Sequence, residues 1–363
     1  FKYLEQRRLE IRKPAHKSKA DVSISNSTDL KHILYWNKFS ITSSNFKFGA
    51  GPEAFFRCPV SACTATENRT QVPEDRVDAL LYAIRLNTLD SAEDLPPLSS
   101  YPNARRVAVA REAPARLQRP LHMYNGEFDY TSSYRYDSDA ISPINYIVVP
   151  KTGEKKTVLP TVNFAKGKRK MAAWFVSNCD DIPSHRDRLA FLLVKYGVAV
   201  DIYGKCGPFK CSFSHKGECY EMLNTEYKFY LSFENALCNH YVTEKFLKIL
   251  RYNIVPVTYG LGHELTGAPK DSYIDVFDFP DVAALAQYLL YLNSNDTAYN
   301  EYFRWKEHYE VVTPIPFMCQ VCASLHNPQL KTPARINLSA WFSKGQCIVV
   351  EKNRRLWNFL NNY

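Results

Sequence analysis

The residues most able to do chemistry lie in one stretch, Tyr227–Gly260, where predicted elements end and begin. Tyr227–Phe233 is aromatic and apolar and predicts a buried strand, and Glu234 and Asn235 add a carboxylate and an amide at its carboxyl end. Ile254–Thr258 predicts the next strand. Because open α/β sheets bind ligands beyond the carboxyl ends of their strands, this edge is the first candidate for a site.

A helix is predicted between these two strands and begins at Thr243, a favourable N-cap residue. Its apolar face consists of Phe246, Leu247, Ile249 and Leu250. Lys245 falls in the first turn, where a cation opposes the helix dipole unless an anion lies nearby. Since a helix N-terminus attracts phosphate, two interpretations stay open: a phosphate-binding lysine and a solvated surface lysine.

The motifs F-E-N at 233–235 and Y-V-T-E-K at 241–245 closely resemble the donor-binding signature of the α-1,3-fucosyltransferases, which use GDP-fucose. The resemblance covers roughly Arg57 to Cys322. It implies GDP-fucose as the donor substrate and a set of donor-binding residues. These residues are Arg186, Glu234, Asn235, Tyr241, Thr243, Glu244 and Lys245.

The resemblance also implies individual roles. Arg186, in an S-x-R motif, matches a diphosphate-binding arginine, whose forked guanidinium suits two phosphate oxygens. Glu244 would hydrogen-bond the ribose hydroxyls. Glu234, Asn235 and Tyr241 would line the fucose and phosphate pocket.

Arg106–Ala110 predicts a buried strand that carries Glu112 just beyond its carboxyl end. Position alone favours a solvated loop residue over a catalytic one. In the fucosyltransferases, however, an E-x-P segment at this place supplies the catalytic base, and Glu112 matches it with Ala113 and Pro114 following.

The segment Asn125–Asp139 alternates aromatic and hydrogen-bonding side chains, which predicts either a saccharide-binding surface or a packed surface loop. It resembles the family motif F-N-W-T-x-S-Y-R-x-D-S-D, with Asp129 and Tyr130 in place of Asn and Trp. The resemblance implies acceptor contacts. The candidates are Tyr130, Ser133, Tyr134, Arg135 and Asp137.

Alternating elements in the second half predict a Rossmann-like sheet: strands at Met171–Val176 and Val198–Tyr203 flank a helix at Arg188–Tyr196. The fold class is therefore α/β, and the resemblance implies the GT-B type, two Rossmann-like domains facing a cleft. The expected boundaries are a stem or linker at 1–26, an N-terminal acceptor-side domain at 27–161, a GDP-fucose-binding domain at 162–325 and a packed C-terminal segment at 326–363.

Composition places the 363-residue chain among soluble globular proteins, with 45% hydrophobic and 23% charged residues. The net charge is +9, and no nucleic-acid-binding motif accompanies the basic clusters, so we expect an anionic ligand and no nucleic acid partner. No apolar run is long enough to span a bilayer. The resemblance implies the Golgi-lumenal part of a single-pass type II protein whose membrane anchor is missing from this chain.

Ten cysteines and four N-x-S/T sequons, at Asn26, Asn68, Asn295 and Asn337, favour a lumenal or secreted compartment with disulfides. The alternative for Cys319-x-x-Cys322 is half of a zinc site, with Cys58 and Cys63 supplying the other half. By resemblance, this C-x-x-C motif instead forms disulfides with Cys58 and Cys63. Further disulfide candidates, whose pairing the sequence does not reveal, are Cys206, Cys211 and Cys219.

The activity implied by the resemblance is transfer of L-fucose from GDP-β-L-fucose to the 3-hydroxyl of a GlcNAc residue, with inversion. The expected partner is a glycoprotein N-glycan, and the expected acceptor is its innermost GlcNAc rather than N-acetyllactosamine. The alternatives are a protein O-fucosyltransferase and a carbohydrate-binding module without catalysis. No D-x-D motif follows a strand in the second half, so no metal ligand is predicted and no metal is obligatory.

Overall fold

The computed structural model describes residues 29–37, 49–84, 95–117, 120–142, 146–152, 162–180, 182–211, 216–327 and 334–361. The predicted stem at 1–26, with its sequon at Asn26, lies outside the described residues. The described chain divides into two compact units, an N-terminal one and a C-terminal one. No helix among these residues is both long enough and apolar enough to cross a membrane.

The strands are β1 (Lys31–Tyr35), β2 (Cys63–Thr66), β3 (Ala79–Ile84), β4 (Arg105–Ala110), β5 (Tyr130–Ser133), β6 (Ala140–Ile141), β7 (Ile147–Pro150), β8 (Lys170–Phe175), β9 (Val200–Tyr203), β10 (Tyr227–Phe233), β11 (Val255–Tyr259), β12 (Ile274–Asp275) and β13 (Tyr309–Val312). The α-helices are α1 (Arg186–Lys195), α2 (Lys216–Thr225), α3 (Glu244–Leu247), α4 (Val282–Ser294), α5 (Asp296–Glu301), α6 (Phe317–Leu325), α7 (Leu338–Phe342) and α8 (Arg354–Asn361).

The N-terminal unit contains a six-stranded parallel sheet in the order β2-β1-β3-β4-β5-β6. Helix α6 covers one face, where Phe317 and Val321 pack in one cluster with Ile33 and Tyr35 of β1. The segment 57–69, which reads as a surface loop because of its cysteines and sequon, contributes the edge strand β2 instead. Pairing with β1 supplies the backbone hydrogen bonds of β2, whose short alternating pattern alone does not predict a strand.

The disulfides confirm the expected pairing, with Cys58 bonded to Cys319 and Cys63 to Cys322. The zinc interpretation of these four residues is therefore wrong, because their sulfurs are in disulfides rather than free as thiolates. The one described cluster that could hold a metal, Cys63, Cys322 and His326, contains such a bonded pair. In the C-terminal unit Cys179 pairs with Cys206 and Cys211 with Cys219. Cys238 and Cys347 are also disulfide-bonded, so all ten cysteines, each of which lies in a described range, are bonded.

The two bridges of α6 should stabilise the protein unequally, depending on the order in which they are removed. Replacing Cys63 and Cys322 by Ser should cost about 3 kcal/mol or less, because Cys58–Cys319 still closes the chain loop of 261 residues. Removing both pairs should cost roughly 5 kcal/mol more, since that long loop then opens. Equilibrium guanidinium unfolding measures both steps, and equal costs for the two steps would contradict the loop-entropy explanation.

The C-terminal unit contains a five-stranded parallel sheet in the order β12-β11-β10-β8-β9. Read from β9, and with the five strands of the sheet numbered in chain order, this is the doubly wound order 2-1-3-4-5. Helices α1 and α4 pack on one face and α2 on the other. All seven residues of β10 are buried, as expected for a central parallel strand whose sequence is continuously apolar and aromatic.

The boundaries of the two compact units differ from the domain boundaries expected from the sequence. The N-terminal unit includes Pro314–Cys347, because α6 is bonded to it by two disulfides. The C-terminal unit begins before Val162, because β7 pairs with β13 in an antiparallel ladder. The C-terminal segment 326–363 is likewise divided, and Ile348 onwards packs in the C-terminal unit.

Candidate functional site

A buried ion pair forms where β10 ends and α3 begins. The Glu234 side chain is wholly buried, and its Oε1 accepts hydrogen bonds from the Thr243 backbone nitrogen at 2.7 Å and the Thr243 hydroxyl at 2.8 Å. The Lys245 Nζ lies 3.2 Å from Glu234 Oε2 and 2.7 Å from the Thr243 hydroxyl oxygen. Thr243 also caps the helix, as its sequence position predicts. Glu234, Thr243 and Lys245, which lie up to eleven positions apart in the sequence, thus form one hydrogen-bonded cluster.

Burial and the charges of this cluster shift the pKa values of Glu234, Lys245 and the neighbouring Glu244. Burial raises the pKa of Glu234, and the ammonium group of Lys245 opposes that rise. Burial would lower the pKa of Lys245, but the carboxylates of Glu234 and Glu244 outweigh it and raise the value. Burial acts to raise the pKa of Glu244, yet Lys245 holds it below the usual value. Lys245 therefore remains a cation.

Lys245 is not the solvated surface lysine that one sequence interpretation allowed, because only 20% of its side chain is exposed. The described contacts of its ammonium group are with the side chains of Glu234, Thr243 and Glu244. Ser232 fixes the backbone beneath it by donating a hydrogen bond of 2.6 Å to the Lys245 carbonyl oxygen. A cation so positioned at a helix start suits a phosphate ligand.

Arg186 spans the point where the strand order of the C-terminal sheet reverses. Its Nη1 donates to the carbonyl oxygen of Phe233 at the end of β10, at 2.9 Å, and its Nη2 to that of Asn178 beyond β8, at 3.1 Å. Doubly wound sheets bind ligands at this switch point. The side chain is buried, and its charge is near enough to Lys245 to oppose protonation of that lysine.

The remaining donor-site candidates lie on the same edge. Asn235 and Tyr241 are buried in the loop between β10 and α3, whereas the Glu244 side chain is 41% exposed. The structure therefore brings Glu234, Thr243, Glu244 and Lys245 into direct contact. Asn235 joins the Arg186 segment through its carbonyl oxygen, which accepts from the backbone nitrogen of Ser184 at 3.3 Å.

Sequence reasoning missed the residues that support the Glu234 backbone. The Ser184 hydroxyl donates to the Glu234 carbonyl oxygen at 2.7 Å, and the Tyr259 hydroxyl donates to the Ser184 carbonyl oxygen at 2.9 Å. Gly260 leaves room for this arrangement, since a Cβ there would lie 3.1 Å from Glu234 Cγ and 2.8 Å from His263 Cε1. The serine of the S-x-R motif and the glycine after β11 were the available signals.

Glu112 lies in the N-terminal unit just beyond the carboxyl end of β4. It is half-buried, and its Oε1 accepts a hydrogen bond of 3.1 Å from the backbone nitrogen of Ala113. A single turn of 3₁₀ helix, Pro114–Arg116, follows, so the chain does not continue as a strand. The carboxylate is thus held at the ligand-binding edge of a parallel sheet.

The acceptor-site candidates are far more buried than a surface loop would be. Tyr130 and Ser133 belong to β5, and Tyr134 and Arg135 follow it with little exposure. The Arg135 guanidinium donates from Nε and Nη2 to the two carboxylate oxygens of Asp137, at 2.8 and 2.5 Å. Pairing with β4 and β6 explains why so polar a segment is inside, because each strand neighbour satisfies its backbone groups. The Asp137 side chain, 42% exposed, remains accessible.

Asp129, which replaces the family's asparagine, is neutralised inside the same unit. Its Oδ1 accepts from the Arg106 backbone nitrogen at 3.0 Å, and Arg335 lies 3.4 Å from its Oδ2. Burial raises the pKa of Asp129, and the charge of Arg335 opposes that rise. The negative charge of Asp129 is thus paired inside the N-terminal unit and contributes to the packing of that unit.

Comparison with protein families matches both units of the chain. A family described as "Glycosyltransferase family 10 (fucosyltransferase) C-term" matches residues 165–341, and one described as "Fucosyltransferase, N-terminal" matches residues 28–145. A crystal structure of an alpha1,3-fucosyltransferase has a TM-score of 0.53 at 17% identity and covers 84% of this chain and 92% of its own. This likeness confirms the α/β fold of the GT-B type.

Curated relatives carry related names. The chain is 35% identical over 318 residues to glycoprotein 3-alpha-L-fucosyltransferase A of Drosophila melanogaster, covering 85% of this chain and 59% of that protein. It is 33% identical over 341 residues to alpha-(1,3)-fucosyltransferase C of the same organism, covering 85% of this chain and 77% of that protein. Alpha-(1,3)-fucosyltransferase fut-1 of Caenorhabditis elegans is 38% identical over 284 residues, with 77% and 59% covered. The chain thus spans 59% of the length of two of these three relatives.

Proposed function

The chain belongs to glycosyltransferase family 10, the fucosyltransferases, and from this premise we propose that it transfers L-fucose from GDP-β-L-fucose to the 3-hydroxyl of a GlcNAc residue on a glycoprotein glycan, with inversion. The acceptor in this proposal is the innermost GlcNAc of an N-glycan. One relative is named for glycoprotein 3-alpha-fucosylation, and one structural neighbour was crystallised with GDP-fucose, which supports this choice of donor and acceptor class.

The observation that carries the proposal is the cationic edge of the C-terminal sheet. Lys245 stays protonated at the start of α3, and Arg186 lies at the switch point of the same sheet. Fixed cations stabilise negative charge that develops during a reaction without having to reorganise. The diphosphate of a sugar nucleotide is such a group, because it leaves with the electrons of the broken bond.

Inversion requires a single in-line displacement. The acceptor oxygen forms a bond to C1 of fucose while the bond between C1 and the phosphate oxygen breaks, and GDP departs with that electron pair. The hydroxyl proton passes to a base as the new bond forms, because a sugar hydroxyl is a weak acid. Glu112 is that base in our proposal. Lys245 and Arg186 bind the departing diphosphate.

Other residues bind and orient the two substrates in this proposal. Glu244 takes the ribose hydroxyls, since its partly exposed carboxylate accepts hydrogen bonds. Asn235 and Tyr241 shape the fucose pocket. On the acceptor side, Arg135 and Asp137 contact the saccharide. Buried Tyr130, Ser133 and Tyr134 hold that pair in place.

Removal of divalent metal ions should reduce the rate of fucose transfer only slightly. Because Lys245 and Arg186 already supply positive charge to the diphosphate, we expect excess EDTA to reduce kcat by less than about threefold, compared with the much larger loss when an essential catalytic cation is removed. Initial rates with and without EDTA, and after adding back Mg²⁺ or Mn²⁺, measure the effect. Loss of turnover that Mn²⁺ restores would overturn the metal-independent reaction.

The acceptor is tested by mass spectrometry with GDP-fucose and two acceptors, a GlcNAc-terminated N-glycopeptide and N-acetyllactosamine. Addition of one deoxyhexose to the glycopeptide, with resistance to the amidase that core α-1,3-fucose blocks, is the expected result. Addition to N-acetyllactosamine alone would establish the Lewis-type alternative. Transfer to neither would favour a protein acceptor or a binding module without catalysis.

The proposed location is the Golgi lumen, where glycoprotein acceptors are modified. The disulfides of both units support an oxidising secretory compartment. Our proposal includes no nucleic acid partner.

A further inference from the structure

The N-terminal unit contains a cavity of about 260 Å³ whose lining includes the sequon residue Asn68. We propose that Asn68 carries an N-linked glycan and that the first GlcNAc of this glycan binds in the cavity. The proposal is independent of the fucosyl-transfer reaction. It rests on the geometry of β1, β2 and the loop that follows β2.

The cavity lies on one face of the edge strands. In the parallel ladder His32 pairs with Thr64 and Leu34 with Thr66, so the four side chains share a face, and all four line the cavity. Its apolar part includes Leu34 together with Val72 and Val77, and Thr64 and Thr66 add hydroxyl groups. A pyranose ring presents C–H groups on its faces and hydroxyls at its rim, and this lining matches both.

His32 supplies a polar atom that lacks a partner. Its Nδ1 is buried and makes no hydrogen bond within the described part of the chain. Its backbone nitrogen, by contrast, donates to Asp78 Oδ2 at 2.8 Å, which fixes the residue in place. An unsatisfied buried polar group is costly. The His32 side chain lines the cavity, and the hydroxyl and acetamido groups of GlcNAc, which can donate or accept, can pair with either tautomer of the ring if it turns toward them.

The loop after β2 holds Asn68 in one orientation. The Thr66 hydroxyl accepts from the Asn68 backbone nitrogen at 3.0 Å and donates to Gln71 Oε1 at 2.6 Å. Asn68 Oδ1 accepts from both the backbone nitrogen and the hydroxyl of Thr70, at 3.0 and 2.8 Å. The carboxamide oxygen is therefore engaged. The Nδ2 atom, which carries the sugar in N-glycosylation, donates no hydrogen bond to another described residue.

The other described sequons lack this combination. Asn337 is exposed and caps α7 through its Oδ1, but it does not line the cavity. Asn295 caps α5 through its Oδ1, and its Nδ2 donates to the Tyr291 hydroxyl at 3.1 Å. Of the sequon asparagines in the described part of the chain, only Asn68 lines the cavity. Because the sugar would be tethered there, its effective concentration is high and a few weak contacts suffice to seat it.

The first test uses protein secreted from eukaryotic cells with high-mannose glycans. Peptide mapping should show a glycan on Asn68, and an unmodified Asn68 would overturn the proposal. An endoglycosidase that leaves one GlcNAc on each asparagine should not change Tm, since the docked sugar remains. Asn68→Gln should lower Tm by about 2–4 °C. A fall of that size on trimming alone would mean that outer sugars, not the first GlcNAc, make the contact.

The second test separates the sugar contact from the stability of the loop itself. Thr70→Ser keeps the sequon and its hydroxyl and should retain the wild-type Tm. His32→Ala should lower Tm more in the glycosylated protein than in the Asn68→Gln background, because only the former loses a contact to GlcNAc. Equal effects of His32→Ala in both backgrounds would show that no sugar contacts His32, and would overturn the proposed binding in the cavity.

Discussion

Glu112→Gln should lower kcat for fucose transfer by about 10²–10⁴-fold and leave the Kd for GDP nearly unchanged. The amide has nearly the same shape but cannot accept the acceptor's proton, and Glu112 belongs to the N-terminal unit while Lys245 and Arg186 belong to the other. Steady-state transfer assays and calorimetric titration with GDP measure the two quantities.

A matched control uses another carboxylate of the same unit. Glu74 is exposed in a 3₁₀ turn, and Glu74→Gln should transfer fucose at the wild-type rate. Near-normal turnover of the Glu112 variant would show that another group takes the proton. A large loss of GDP affinity would show that Glu112 acts on the donor instead.

Lys245→Met should impair both stability and catalysis, because the lysine neutralises a carboxylate that has no access to solvent. Glu234 would be left buried without its cation, at a cost of about 3–5 kcal/mol. Turnover should fall by about 10²–10³-fold, since the leaving diphosphate loses a fixed positive charge. Thermal unfolding and initial-rate assays measure the two losses.

The double variant Glu234→Gln with Lys245→Met separates these effects. It removes both charges while Gln can still accept from the Thr243 backbone nitrogen, so stability should return but turnover should not. Restored turnover would rule out a role for Lys245 in binding the diphosphate. Lys270→Met serves as the control, because 81% of that side chain is exposed and its loss should change neither quantity.

The elements that sequence reasoning predicted well are those in which a local pattern and the tertiary environment agree. Tyr227–Phe233 is a strand with the predicted bounds, because a central parallel strand is buried on both faces and its apolar run reflects that. Helix α4 shows the same agreement, since Val282, Leu285 and Leu289 recur at a helical period on its buried side and Asp281 caps it.

The misjudged segments owe their structure to distant partners. β2 is only four residues long, and 130–133 is too polar to suggest burial, yet both are buried or half-buried in a sheet because neighbouring strands complete them. The antiparallel ladder of β7 and β13 joins segments far apart in the chain, which no local pattern reveals. At the site, family resemblance made Glu234 and Lys245 candidates, but the ion pair between them, which Thr243 bridges, appears only in three dimensions.

The discontinuity of the N-terminal unit has a consequence for synthesis on the ribosome. Its sheet precedes the C-terminal unit in the chain, but α6 and the cysteines that bond it follow that unit. Cys58 and Cys63 are therefore translated more than two hundred residues before their native partners. The C-terminal unit can complete its sheet first, which reverses the usual N-to-C order of domain folding. During that interval the thiols of Cys58 and Cys63 lack their native partners, and the apolar face that α6 covers in the folded protein is exposed.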